Sequence, residues 1–141
     1  MSAYKVIQPQ FKTLESLLKA LRDVGLGGYE LSAGPRQNTL ALSGYGGARV
    51  SQKVAVRLPK SVYGGYEDVG FYWDEASRSY AALVSTHDSD YDGRRNIGEA
   101  TLGKITQAYA FHEVSRQARL KGYSVKKTVE GDAIRVTLVR M

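Results

Sequence analysis

Three groups of side chains in this 141-residue chain have the types and spacing to do chemistry. The first is a set of cations, Arg49, Lys53 and Arg57, near tyrosines set among glycines: Tyr45-Gly46-Gly47 and Tyr63-Gly64-Gly65-Tyr66. Cations meet phosphates and flat rings stack on bases, so this pairing suits sequence-tolerant binding of single strands. Glycine beside a ring lets the loop bring ring and backbone close to a ligand. Each stacked base contributes about 1–3 kcal/mol, so two or three exposed tyrosines beside the cations would give useful affinity. The same residues also read as turn chemistry and a solvated strand face.

The second group is acidic. Asp88, Asp90 and Asp92, then Gly93 and Glu99, follow D-x-D-x-D-G-x5-E. That is the spacing of a calcium loop, in which carboxylates supply hard oxygens and the last glutamate binds through both of them. Three features oppose it: a strand is expected before the loop where a helix is usual, Arg95 occupies a normally apolar position, and Arg94 and Arg95 offer internal counter-charges. An Asp/Gly surface turn is the competing reading. The third group is Tyr109, His112 and Arg116, one helical turn apart on a stripe with Ile105. They would make a polar contact surface or an acid/base pair, or else a packed, hydrogen-bonded histidine. With two histidines and no cysteine, a zinc site is not expected. The sequence has no P-loop, Gly-x-Ser-x-Gly elbow, dinucleotide fingerprint or His-x-x-x-His, so no enzyme is expected.

Stepping outward, the length fits a single domain, residues 1–141, able to bury a core without disulfide or metal. The absence of cysteine removes thiolate chemistry and fits a reducing, cytoplasmic setting. No apolar run approaches the ~20 residues of a membrane span, and the start has no secretory pattern, so no membrane partner is expected. The formal charge of +6 is unevenly placed. Residues 1–66 carry nine Lys/Arg against three acids, residues 67–99 three against eight, and residues 104–140 eight against three. A basic face of this kind attracts polyanions, nucleic acid before membrane.

The elements that must position these groups follow from periodicity. Ala3–Gln8 reads as a strand. Thr13 can cap a helix in which Leu14, Leu17, Leu18, Leu21 and Val24 form an apolar stripe, closed by Gly25. Gly27–Asn38 reads as a loop. Thr39–Ser43 and Arg49–Leu58 read as strands, the second with Val50, Val54, Val56 and Leu58 on one face and Arg49, Ser51, Lys53, Ala55 and Arg57 on the other. Val69–Trp73 and Ser79–Ser85 form a hairpin. A second helix spans about Thr101–Lys121 and ends at Gly122. Tyr123–Val129 and Ala133–Arg140 close the chain around Glu130-Gly131-Asp132. The class is α+β, an antiparallel sheet or sheets with two helices in the order β-α-β-β-β-β-α-β-β. Both helices are expected on one sheet face, with the other face exposed and open to homo-oligomerisation.

Several blocks also carry a resemblance: Leu14–Gly25, Gly44-Tyr45, Val69-Gly70-Phe71-Tyr72-Trp73, Lys104-Ile105-Thr106-Gln107-Ala108-Tyr109-Ala110-Phe111-His112, Lys121-Gly122-Tyr123 and Ile134-Arg135-Val136-Thr137-Leu138. In this order they resemble the uncharacterised family called hypothetical chloroplast reading frame thirty-five, small proteins of cyanobacteria, plastids and some bacteria. The resemblance covers most of the chain. It implies no catalytic residue. It implies an accessory protein encoded beside an AAA-type ATPase and a ferredoxin. The Ser61–Tyr66 and Thr86–Glu99 loops depart from the pattern. In size, basic balance and element order the chain is also loosely similar to the RNA-binding proteins of jumbo-phage nuclear shells, with a Whirly-like α+β fold.

The sequence therefore leads to a non-catalytic nucleic-acid-binding protein, with RNA or single strands preferred, acting through Arg49, Lys53, Arg57, Tyr45, Tyr63 and Tyr66. The alternative is an adaptor of an ATPase or shell assembly, acting through Tyr109, His112 and Arg116 and the acidic loop. No cofactor is expected beyond Ca2+ at that loop.

Overall fold

The computed structural model describes residues 4–44, 50–63, 67–85, 99–131 and 133–140. Its elements are β1 (Tyr4–Phe11), α1 (Leu14–Asp23), β2 (Glu30–Leu31), β3 (Val56–Leu58), the single turn α2 (Lys60–Tyr63), β4 (Val69–Asp74), β5 (Ser79–Ser85), α3 (Glu99–Leu120), β6 (Tyr123–Glu130) and β7 (Ala133–Arg140). β1 to β5 form an antiparallel sheet in the order β1-β5-β4-β3-β2, and β6 and β7 pair as a separate two-stranded sheet. The class is α+β, as the sequence implies. Gly25 and Gly122 both adopt positive φ, +83° and +86°, in the backbone region that costs glycine least, and they stop α1 and α3 there.

Alternation along β4 and β5 sorts the core. Val69, Phe71 and Trp73, with Tyr80, Ala82 and Val84, face α1 and α3. From the helices come Leu17, Ala20 and Leu21 and then Leu102, Ile105 and Tyr109, all buried in one cluster with Phe11, Val56 and Leu58. Thr13 begins α1, but its side chain makes no capping hydrogen bond; its carbonyl accepts from Leu17 N at 3.1 Å.

The outer face differs from expectation. It is covered in part by the segment before β3, whose Leu42 and Val54 pack on Leu83 with Leu40, Val50 and Tyr72 around them. Among the described residues, the predicted strands Thr39–Ser43 and Arg49–Leu58 shrink to isolated bridge positions at Leu40, Ser43 and Val54 and the three residues of β3. The physical reason lies at Ala55. Its N–H donates to Phe71 O at 2.9 Å, while Val56 is the register partner of Phe71. Two residues stand against one, as in a β-bulge, and the side-chain alternation shifts there. Val54 therefore packs on the outer face while Ala55 and Val56 both join the inner core. A second difference is β2, where a loop was expected: Glu30 and Leu31 pair with Arg57 and Val56.

Gly70 is the close-approach position of this arrangement. A Cβ there would lie 2.5 Å from Val54 Cγ1 and 2.9 Å from Cγ2. Gly70→Ala should lower stability by about 1–3 kcal/mol in chemical denaturation, because the neighbour is a short branched side chain with little room to move. The double variant Gly70→Ala/Val54→Ala should lose less than the two single losses added together; full additivity would show that the contact is not the cause.

Candidate functional site

The helical stripe predicted from spacing lies in a seam between α3 and the β1–α1 corner. Tyr109 is 8% exposed, with its ring edge-on to Phe11 at 5.1 Å. Its hydroxyl oxygen accepts from Lys12 N at 2.8 Å and Thr13 N at 3.0 Å, so it takes up the backbone donors of the two residues that lead from β1 into α1. One turn on, His112 Nε2 lies 2.6 Å from Asp23 Oδ2 at the far end of α1. Arg116 Nη2 donates to Glu113 Oε1 at 2.5 Å, and Ser16 Oγ donates to Glu113 Oε2 at 2.8 Å. Tyr109, His112 and Arg116 are thus engaged within the chain, and the expected docking surface is corrected to an internal clamp. Sequence reading missed Ser16, Asp23 and Glu113. Ser16 had a signal, a small polar residue one position from Leu17 on the side that α1 buries.

Glu113 is the electrostatic centre of the seam. Burial pushes its carboxyl up, but hydrogen bonds from Arg116, Ser16, Gln117 and Thr13 outweigh this and bring the pKa from 4.5 to about 2.

Of the six predicted nucleic-acid residues, Arg49, Tyr45 and Tyr66 lie outside the described residues. Lys53 is exposed. Arg57 is half-buried and committed: Nη2 lies 3.0 Å from the Glu30 carboxylate, its cross-strand partner, and Nη1 donates to Ala41 O at 3.1 Å. Tyr63 is 1% exposed, with its hydroxyl donating to the Glu67 carbonyl. Its ring belongs to the main core, so Tyr63 is corrected from a stacking platform to a packing residue. The bulge at Ala55 also separates Lys53 from Arg57, which were expected on one ladder face. Asp88, Asp90 and Asp92 lie outside the described residues, and Glu99 is the first residue of α3. Among the described residues no group of three or more His, Cys, Asp and Glu is placed to hold a metal.

The structure assembles a cationic, ring-bearing surface elsewhere, at the junction of α3 with the hairpin. A groove of about 440 Å³ runs between α1, α3 and β6, lined by Lys19, Phe111, His112, Ser115, Arg119, Ser124 and Val125. That volume falls within the ~300–1,000 Å³ of single-ligand sites. Lys127 Nζ stands 4.9 Å over the Phe111 ring, and Arg140 lies 6.0 Å over Tyr123. Directly opposed residues share a face, so register sorts the hairpin. Tyr123, Val125, Lys127 and Val129 share one face with Val136, Leu138 and Arg140. Ser124, Lys126 and Thr128 share the other with Arg135, Thr137 and Val139. Among the described residues from Arg119 to Arg140, Glu130 is the sole acid beside Arg119, Lys121, Lys126, Lys127, Arg135 and Arg140. The charge excess of residues 104–140 was visible in the sequence; its convergence on Phe111 was not, because it needs the hairpin folded back on α3.

Two outcomes follow from the seam. Tyr109→Phe keeps the ring but removes the acceptor for two backbone N–H groups, and should cost about 1–3 kcal/mol in denaturant unfolding. Glu113→Gln should cost about 1 kcal/mol at neutral pH. A depressed carboxylate pKa contributes stability that is present above 4.5 and lost as pH falls toward about 2. The parent should therefore lose more stability than Glu113→Gln across that window, and parallel pH curves would show that Glu113 is not the cause.

No curated protein and no solved structure matches the chain. A family model described as a protein of unknown function, DUF1257, matches residues 21–139. Cation–ring groove, clamp and hairpin all draw on that span, and the chain belongs to the DUF1257 family.

Proposed function

We propose that this chain is a non-catalytic nucleic-acid-binding protein, preferring RNA or single strands, and that its contact surface is the α3–hairpin junction. The observation that carries this reading is the groove in which Arg119 and Lys19 flank Phe111 while Lys127 stands over the same ring. Cations beside an aromatic plane are what a sequence-tolerant single-strand site needs. Lys19 also pairs with Glu15 at 3.1 Å, an exposed ion pair of little energetic weight that phosphate can displace. Lys126 and Arg135, diagonal neighbours on the outer hairpin face, extend the cationic path. Lys53 remains a peripheral contact, while Arg57 and Tyr63 have no part in it.

One observation favours a second reading, an adaptor within an assembly centred on an AAA-type ATPase, the setting implied by the chloroplast-frame resemblance. On its other side α3 forms an open apolar groove with the hairpin, lined by Gln107, Ala110, Phe111, Val114 and Val136. Val114, Val129 and Leu138 are 45%, 64% and 51% exposed. Calcium at Asp88, Asp90, Asp92 and Glu99 is a lesser proposal, which identical melting midpoints with and without chelator would remove.

A gel-shift with a single-stranded RNA oligonucleotide at two salt concentrations tests the reading. A complex at low salt should weaken steeply as salt rises, because phosphate contacts release counterions. The triple variant Arg119→Ala/Lys126→Ala/Lys127→Ala should bind at least tenfold more weakly, with a salt slope lower by about 2. Arg49→Ala/Lys53→Ala/Arg57→Ala should have a smaller effect. Absence of any shift at low salt, or unchanged binding by the first variant, overturns the proposal. A partner captured with little salt dependence supports the adaptor reading.

A further inference from the structure

Among the described residues, β7 is open on one side. β7 pairs with β6 and, among the described residues, with no other strand. An edge of this kind presents a row of N–H and C=O groups to water. Natural edges are commonly blunted by proline, by a bulge, by brevity or by charged side chains, and of these β7 has only Arg135 and Arg140. Here β7 runs for eight residues, AIRVTLVR, without proline or glycine. Its register with β6 is continuous from Ala133 to Arg140. Val136, Leu138 and Val139 are 37%, 51% and 39% exposed. A two-stranded sheet is marginal alone, and further strands with an apolar face are what stabilise it.

We propose that β7 pairs antiparallel with β7 of a second copy of this chain, forming a four-stranded sheet across a two-fold axis. Charge points to a copy of the same hairpin. The hairpin's ends differ in charge: Glu130 stands at its turn end and Lys121 and Arg140 at its open end, with Lys126, Lys127 and Arg135 between them. An antiparallel copy brings each acidic turn end beside the other's basic open end. A parallel pairing would join like with like.

The register is also constrained. Opposed residues must agree in direction, both aiming their backbone groups across the new interface or both toward β6, so they differ by an even number and the axis passes through a residue. The two longest overlaps place Val136 or Thr137 on that axis. With Thr137 on the axis, Arg135 opposes Val139 and Val136 opposes Leu138. With Val136 on the axis, Arg135 opposes Thr137 and Ile134 opposes Leu138. Neither register sets Arg135 or Arg140 against a like charge, and each joins apolar residues across the seam. The dimer also lays two Lys126–Arg135 faces side by side. The inference goes beyond the nucleic-acid reading, which a monomer fulfils equally well.

Sedimentation velocity over a concentration series should show a monomer–dimer equilibrium. Thr137→Lys opposes a like charge in both registers, against its own mate or against Arg135. It should weaken the dimer about tenfold, and it should do so equally in a Lys126→Ala background, where no like charge opposes residue 137 within its own hairpin and circular dichroism stays unchanged. The chain lacks cysteine, so a single introduced thiol reports only contact between copies. Opposed residues in an antiparallel pair sit within disulfide reach. Val136→Cys or Thr137→Cys should therefore cross-link under mild oxidation, whereas the exposed control Ser61→Cys should not. A monomer at every concentration, with cross-linking no greater than the control, overturns the proposal and leaves the edge to a strand from a different protein.

Discussion

The hydroxyl of Tyr109 holds the α-helical layer in place. Lys12 and Thr13 lead the chain from β1 into α1. The Tyr109 oxygen accepts from both of their backbone N–H groups, and its ring closes on Phe11 at the end of β1. One side chain thereby joins the last strand residue of β1, the first turn of α1 and the middle of α3. Glu113 and His112 extend the same seam along α1 through Ser16 and Asp23. Since α3 is seated in this way, its C-terminal end projects to where β6 begins, and the hairpin's position follows from the clamp.

That arrangement divides the polar side chains of α3 between two tasks. Tyr109, His112 and Glu113 meet residues of the β1–α1 corner, and Arg116 pairs with Glu113 on α3 itself. Phe111 and Arg119 point to the groove beside β6. Among the described residues, Lys19, Arg119 and Lys127 stand beside Phe111. On the main sheet, Arg57 is held by Glu30 across the β2–β3 pair.

Much of the architecture was legible because local rules and tertiary packing agree. Ser79–Ser85 and Ala133–Arg140 have the predicted bounds, and Gly25 and Gly122 end their helices by the expected backbone geometry. Legibility failed where a single residue shifted a period. Ala55 stands with Val56 against Phe71, so a strand that read as an alternating ladder with a cationic face became a bulged segment serving two cores. It failed again for tyrosine: Tyr63 beside glycines looked like an exposed ring, yet it fills the main core with its hydroxyl on the Glu67 carbonyl. Tyrosine is amphipathic, and its immediate neighbours do not tell which end meets water.

By itself, the sequence determined the α+β class, most element boundaries and the basic excess of the C-terminal third, because periodicity, glycine stops and charge are local properties. Only the tertiary structure decided which cations and rings stand together. Arg57 found Glu30, Tyr109 found the α1 backbone and Lys127 found Phe111 through contacts between residues far apart in the chain. Such pairings depend on the bulge at Ala55 and the seating of α3, and no spacing rule along the chain encodes either of them.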